Sequence, residues 1–266
     1  MRAAARDRLA ADGVVLIEGV MDGASCDAIC AAIERSRQRP SEHYGLLSPP
    51  GEARVDSDLF VWLHDEEYRH IVVTGTLATV AASLLGTSDV VFVEDQWFAS
   101  AAGATTPSPW HQDGPYYNID RPFLTLWLAL DDAPAAAALR VVPGSHRTGV
   151  WYAPVEFSTT LVTTGGSGSL PPAPDVDADA ALDVRRFDVR RGDVVALHSD
   201  ALHAAGGVAL PGVFRRLSTR WAPPDARYVD RGAQAASFWR LLPHGRRDGD
   251  LLAGDQFPLI ATGIAS

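Results

Sequence analysis

Apolar and polar positions along this chain predict mainly helices in its first third and mainly strands afterwards. A short β-rich run, Val14-Val-Leu-Ile17, is bounded by Gly13 and Gly19 and reads as a strand. The segment that follows, to about Gln38, carries apolar residues at helical spacing, with Asp22 or Ser25 placed to cap it. Residues 40–57 are rich in proline, serine and glycine and read as loop. A second helix is predicted over about 66–85, where Ile71, Leu77, Val80 and Leu84 recur at helical intervals. Strand-like runs then follow at 90–98, 123–130, 139–142, 186–189, 194–197 and 214–221. Turn signals separate them, among them Asp113-Gly-Pro115, Pro143-Gly144 and Arg191-Gly-Asp193, and such punctuation predicts a sandwich or barrel. The stretch 163–181 is too polar and glycine-rich for a core, so an insertion over about 155–182 reads as disordered or as an active-site lid. The tail after Trp221 shows no clear period and is expected to wrap the surface. No repeat is visible, and the expected organisation is one domain over 1–266, helical at about 20–86 with a β core at about 88–222.

Composition narrows the function classes. A chain of 266 residues with 47% hydrophobic and 21% charged residues is ordinary for a globular protein with a sizeable core. The net charge of −10 argues against nucleic acid and against an anionic membrane surface, both of which call for a basic face. No run approaches the roughly 20 apolar residues of a membrane helix. Arg2, Arg6 and Arg8 are not followed by a signal-peptide core, so a cytoplasmic location is expected. Cys26 and Cys30, four apart in a predicted helix, provide neither a disulfide framework nor a four-ligand zinc site and read as small buried residues.

The strongest chemical signal is Trp110-His111-Gln112-Asp113-Gly114. Residues two apart in extended backbone share a face, so His111 and Asp113 can reach one metal ion. Completed by a distant histidine they form a 2-His-1-carboxylate set, the donor pattern of non-haem iron(II) oxygenases. His198 and His203 stand close together after Gly192-Asp193. His203 is followed by Ala204, Ala205, Gly206 and Gly207, which leave room for a metal, whereas His198 ends a strand and reads as a hydrogen-bonded barrel residue. Iron oxygenases of this kind need a co-substrate that supplies two electrons, and 2-oxoglutarate has a far carboxylate that needs a cation. Arg215, Arg216 and Arg220 lie about a dozen residues past His203, and arginine's planar fork suits a carboxylate. Strand parity puts Arg216, Ser218 and Arg220 on one face and Arg215 on the other.

Taken together, these residues resemble the phytanoyl-CoA dioxygenase family. The matching pieces are Thr106-Pro-Ser-Pro-Trp-His111-Gln-Asp113-Gly-Pro-Tyr-Tyr117, Leu126-Trp-Leu-Ala-Leu-Asp-Asp132, Val142-Pro-Gly-Ser-His-Arg147, Arg191-Gly-Asp-Val194 with Leu202-His203, and Leu217-Ser-Thr-Arg-Trp221. The resemblance implies a mainly β fold with flanking helices around a double-stranded β-helix (a cupin-like jelly roll). It also implies iron(II) on His111, Asp113 and His203, with 2-oxoglutarate and O2 as co-substrates and succinate and CO2 as co-products. Two positions depart from the family: Phe214 stands where the co-substrate arginine usually sits, and Ser100 where relatives often carry lysine. Arg216 is therefore the expected anchor by parity, with Arg215 the second choice. Trp110, Tyr116 and Tyr117 are the expected substrate walls, together with the 40–60 loop and the insertion. The expected reaction is hydroxylation of an unactivated C–H bond in a small metabolite, since Asp113 is retained where related halogenases carry a small residue. Desaturation, cyclisation and epimerisation use the same ligand set. A metal-dependent cupin-like hydrolase or isomerase and a non-catalytic binding barrel are the rival readings.

Overall fold

The structure is a computed structural model describing residues 2–155, 170–231 and 244–263. Ahead of the first predicted strand lies a helix, α1 (Arg2–Asp12), built from alanine, leucine and arginine, all good helix formers. It ends at Gly13, whose φ of 75° reverses the chain into β1 (Val14–Ile17). Helix α2 (Gly23–Gln38) starts where expected, with the Asp22 carboxylate accepting from Ser25 N at 2.8 Å. Its inner face buries Ile29, Ala32 and Ile33 with the two cysteines, both of them free.

The helix predicted over 66–85 is two helices, α3 (Glu66–Val73) and α4 (Thr76–Leu85). They part at Gly75, where a Cβ would lie 2.3 Å from the Ile71 carbonyl oxygen. At 8 and 10 residues each is too short to cross a bilayer. Both instead pack Tyr68, Val72, Leu77 and Ala81 into the core.

The major sheet is antiparallel, in the order β1-β8-β5-β10-β4-β3-β2, with β11 added on β4. Its strands are β2 (Gly45–Leu46), β3 (Val55–Leu59), β4 (Asp89–Ser100), β5 (Leu124–Ala129), β8 (Val194–His198), β10 (Phe214–Ala222) and β11 (Leu259–Ala261). A minor sheet runs β7-β6-β9, from β6 (Leu139–Val141), β7 (Arg185–Arg186) and β9 (His203–Ala205). Trp127, Leu139, Leu197 and Phe214 share one hydrophobic cluster that joins the two sheets into a jelly roll, while a larger cluster packs α2, α3 and α4 on the outer face of the major sheet.

Three further elements differ from their sequence reading. β3 lies partly in the predicted loop; its Val-Asp-Ser-Asp-Leu sequence is too polar to read as a buried strand. Its carboxylates are nevertheless satisfied, Asp56 by Arg37, Arg54 and Tyr44, and Asp58 by Ser36 and Ser41. The strand expected at 186–189 reduces to the two-residue β7 and one bridge between Ala133 and Val189. The tail does more than wrap the surface: β11 joins the sheet, and Leu252 and Phe257 are fully buried. Of the insertion, residues 156–169 lie outside the described residues.

Candidate metal centre and its cleft

His111 and His203 come from segments remote in sequence that are laced together reciprocally. Each backbone N–H donates to the other's carbonyl at 2.9 Å, which sets the two imidazoles with ring centres 4.1 Å apart. Asp113 follows at the start of a short 3₁₀ turn, Gly114–Tyr116. That turn presses against the next loop so closely that a Cβ on Gly114 would lie 2.3 Å from an Asp200 carboxylate oxygen. One donor atom from each of His111, Asp113 and His203 lies within 4.8 Å of the others.

The surroundings orient all three for a metal. The Nδ1 of His111 meets the Pro109 carbonyl at 2.8 Å, and that of His203 meets the Ala201 carbonyl at 2.9 Å. A carbonyl can only accept, so both protons sit on Nδ1 and both Nε2 lone pairs are left for a cation. On Asp113, Oδ2 accepts from the Thr125 hydroxyl at 2.5 Å and faces Arg220 Nε at 3.6 Å. The other oxygen, Oδ1, lies 3.7 Å from His111 Nε2 and 4.0 Å from His203 Nε2. Burial, with a smaller contribution from His203, pushes the His111 imidazole down to about 3, so it is neutral at physiological pH. Burial alone would raise Asp113, but Arg220 and the two imidazoles outweigh it and hold the carboxyl well below the usual carboxylate range. Two imidazoles whose Nδ1 atoms are held by backbone carbonyls and a carboxylate with its second oxygen already held are a donor set that fits a divalent metal, with one face open to the cleft.

Arg220 is anchored from behind. Its Nη1 lies 3.2 Å from Glu94, which also accepts from the Tyr117 hydroxyl at 2.6 Å, and the guanidinium stands over the Tyr117 ring. Burial raises Glu94 to about 7 against the opposing pull of Arg220 and Tyr117.

The cleft occupies about 1070 Å³ with the solvent at its mouth included. Arg216, Ser218 and Arg220 all line it. Arg215 faces the opposite side, where it clasps Asp131 through two contacts of 2.9 and 2.8 Å. Arg216 is buried and bonds the Ser100 hydroxyl at 2.7 Å and the Phe214 carbonyl at 3.3 Å, with its guanidinium against the rings of Phe98 and Phe214. Among the described residues no carboxylate lies at ion-pair distance from it, and burial drives it down to about 10. Four residues of strand, about 13 Å, separate Arg216 from Arg220.

Tyr116 and Tyr117 line the cleft, and the Tyr116 hydroxyl exchanges hydrogen bonds with the backbone of Val155. Trp110 does not line it. Its indole N–H donates to Asp177 at 3.1 Å, and Arg140 packs on its ring, which ties the described end of the insertion to the chain beside His111. His198 is outside the metal group; its Nδ1 accepts from Asp200 N at 3.1 Å. The 40–60 stretch expected as a wall lines the cleft through His43, Leu47, Ser57 and Leu59, while the sequence reading missed Thr125, Glu94 and Gln96. For Glu94 and Gln96 a signal was present, a polar Glu94-Asp95-Gln96 run in the middle of a strand with apolar residues on both sides.

Two histidines and one carboxylate converging on one point inside a jelly roll define a mononuclear non-haem metal enzyme. The chain belongs to the phytanoyl-CoA dioxygenase (PhyH) family, whose model matches residues 9–216. Iron(II) and 2-oxoglutarate are accordingly its metal and co-substrate. Among curated sequences nothing matches. Among solved structures, the fold is similar to the epimerase SnoN in complex with Fe3+, alpha-ketoglutarate and nogalamycin RO, at 22% identity and a TM-score of 0.75 over 97% of this chain and 98% of that one. It is likewise similar to the alpha-ketoglutarate-dependent carbocyclase SnoK from nogalamycin biosynthesis, at 23% identity and a TM-score of 0.75 over 97% and 95% of the two chains. AviO1 from Streptomyces viridochromogenes Tue57 matches at 23% identity and a TM-score of 0.63 over 85% of this chain and 96% of its own.

Proposed function

We propose that this protein uses iron(II), 2-oxoglutarate and O2 to act oxidatively on a C–H position of a small molecule, with a change of stereochemistry or a ring closure as the outcome. The observation that carries this reading is a complete His111-Asp113-His203 set sharing one cleft with a buried, carboxylate-free Arg216. Bound together, iron and 2-oxoglutarate supply the oxidising power for C–H cleavage. The protein's own part is placement. Arg216 receives the far carboxylate of the co-substrate, Ser218 lies midway, and Thr125 and Arg220 keep the Asp113 carboxylate from turning. Tyr116 and Tyr117 wall the substrate side and help keep water out. The described contacts give Trp110 no place in that wall. Epimerisation or cyclisation is favoured over hydroxylation because SnoN and SnoK, described as an epimerase and a carbocyclase, both cover nearly the whole chain. Hydroxylation is the second reading, supported by the retained Asp113. The two free, buried cysteines suit a reducing compartment and support a cytoplasmic setting.

The test has two stages. Anaerobic titration of the metal-free protein with iron(II) and then 2-oxoglutarate should raise the weak visible charge-transfer band of the chelate, lost in His111→Ala and His203→Ala. A well-folded wild-type protein that shows no band would sink the reading. With a reductant such as ascorbate present to supply the two electrons that a redox-neutral epimerisation needs, mass spectrometry of the product then separates the outcomes: unchanged mass for epimerisation, loss of two hydrogens for ring closure, gain of one oxygen for hydroxylation.

A further inference from the structure

The cleft lining continues past β4 onto β3, β2 and the loop before them, where Ser57 pairs with Phe98 and Phe98 with Arg216. Alternation along β3 decides its character: Asp56 and Asp58 point outward to their arginine, tyrosine and serine partners, while Val55, Ser57 and Leu59 line the cleft. Gln96 on β4 stands opposite Leu59 in register and reaches Ser57, its side-chain nitrogen 3.5 Å from the serine hydroxyl. His43, only 4% exposed, packs its ring edge-on against Phe60 with the centres 5.1 Å apart. Among the described residues, no hydrogen bond is made to the His43 ring nitrogens, whose nearest carboxylate is that of Glu42 at 3.9 Å, or to the Gln96 side-chain oxygen. Burial pushes the His43 imidazole below its ordinary range, so it offers one donor and one acceptor and no charge. Buried polar groups with unused capacity are costly unless a ligand or water completes them.

We propose that His43, Ser57 and Gln96, set among Leu47, Leu59 and Phe98, form a subsite for an uncharged ring that carries hydroxyl groups, such as a neutral sugar unit or a hydroxylated carbocycle. The apolar side chains take the ring faces and the three polar groups take its hydroxyls. The one charged side chain near this end is Arg216, whose guanidinium lies against Phe98 and is taken by the far carboxylate of 2-oxoglutarate in this reading. A further carboxylate, phosphate or ammonium here would therefore be desolvated without a free partner. The assignment rests on the iron and 2-oxoglutarate reading of the site and adds the substrate class to it.

The anaerobic iron–2-oxoglutarate protein, its band checked in the same sample, is titrated calorimetrically with phenyl glucoside, with phenyl glucuronide and with decanoyl-CoA. The neutral glycoside should bind at least about tenfold tighter than the acid that differs from it by one carboxylate, and decanoyl-CoA should not saturate. His43→Ala should weaken the glucoside about tenfold with the band and the affinity for 2-oxoglutarate unchanged, and Gln96→Leu should weaken it about tenfold with the band retained. His43→Gln, which keeps a neutral donor and acceptor, should restore part of the binding. With the band present, equal or tighter binding of the glucuronide or the thioester overturns the subsite. So does the absence of binding by all three probes, or unchanged glucoside affinity in both variants. If the band itself fails to form, the failure belongs to the iron and 2-oxoglutarate reading.

Discussion

Replacing Arg216 with glutamine should weaken 2-oxoglutarate binding severely while leaving the ligand-free protein as stable as before or slightly more so. The opposite signs come from one feature, a cation buried ahead of its partner. Burial drives the guanidinium from 12.5 to about 10, and at about 1.36 kcal/mol per pH unit this costs the ligand-free fold about 3 kcal/mol. The bonds to Ser100 and Phe214 and the two aromatic faces return about 2 kcal/mol, so glutamine should change the ligand-free stability by about +1 kcal/mol. With co-substrate bound the balance reverses. Removing one partner of a buried charge pair costs about 3 to 5 kcal/mol, a rise of about 150- to 5,000-fold in Kd. Arg215→Gln is the comparison, since Arg215 is tied to Asp131 on the far side of the sheet. It should lose about 1 kcal/mol of stability and bind 2-oxoglutarate normally. Urea unfolding of the metal-free proteins and titration of the charge-transfer band read the two quantities separately. A 2-oxoglutarate affinity within fivefold of wild type in Arg216→Gln, or an equal loss in Arg215→Gln, would refute the assignment of the anchor.

Further outcomes concern the metal, the helices and pH. Thr125→Val removes the hydroxyl that holds Asp113 Oδ2 at 2.5 Å; iron(II) affinity should fall about 10- to 100-fold with the fold intact, read by competition with a chelator. Gly75→Ala should destabilise by about 1 to 3 kcal/mol, seen as a lower urea midpoint, because the new Cβ meets the Ile71 carbonyl at 2.3 Å. Asp95 is fully buried and accepts from Tyr68 at 2.7 Å, and burial raises it from 3.8 to about 7. Its folded pKa lies above its unfolded one, so its stabilising contribution is complete below about pH 4 and is lost as pH rises to about 7. Asp95→Asn should therefore flatten the fall in stability of the metal-free protein over that window by up to about 4 kcal/mol; parallel profiles for the two proteins would refute the cause assigned.

Those features that depend on local periodicity could be read from the chain, and those that depend on partners far away could not. His111 and Asp113 were legible because two residues in extended backbone share a face, and His203 because small residues follow it. Parity alone separated the positions of Arg216, which lines the cleft, and Arg215, which pairs with Asp131. β3 was hidden because Asp56 and Asp58 look like loop residues until Arg37, Arg54, Ser36 and Ser41 are brought to them. The break at Gly75 was hidden because apolar spacing continues across it and only the approach of the Ile71 carbonyl shows why glycine stands there. Trp110 adjoins a ligand in sequence, but its ring is held by Asp177 and Arg140, contacts made with a distant part of the chain.

The register of β10 explains how one strand serves both the metal and the co-substrate. Arg220 pairs across the sheet with Glu94 and Thr125, Ser218 with Gln96 and Trp127, and Arg216 with Phe98 and Ala129. The rung nearest the metal is therefore charged and balanced, the next neutral and polar, and the third holds a cation whose cross-strand neighbours carry no charge. Such a ladder suits an elongated diacid that meets metal at one end and guanidinium at the other. Slipping β10 by one residue would turn Arg215, Leu217 and Thr219 inward and put three polar side chains into the helix-covered core. The bulge between Arg220 and Trp221 shows how tightly this is held. Immediately past the last inward arginine the register shifts, and Trp221 packs on Phe92 in the core beneath the helices, ring centres 4.9 Å apart. A large aromatic locked into the core on one side of the bulge keeps the arginines facing the cleft on the other.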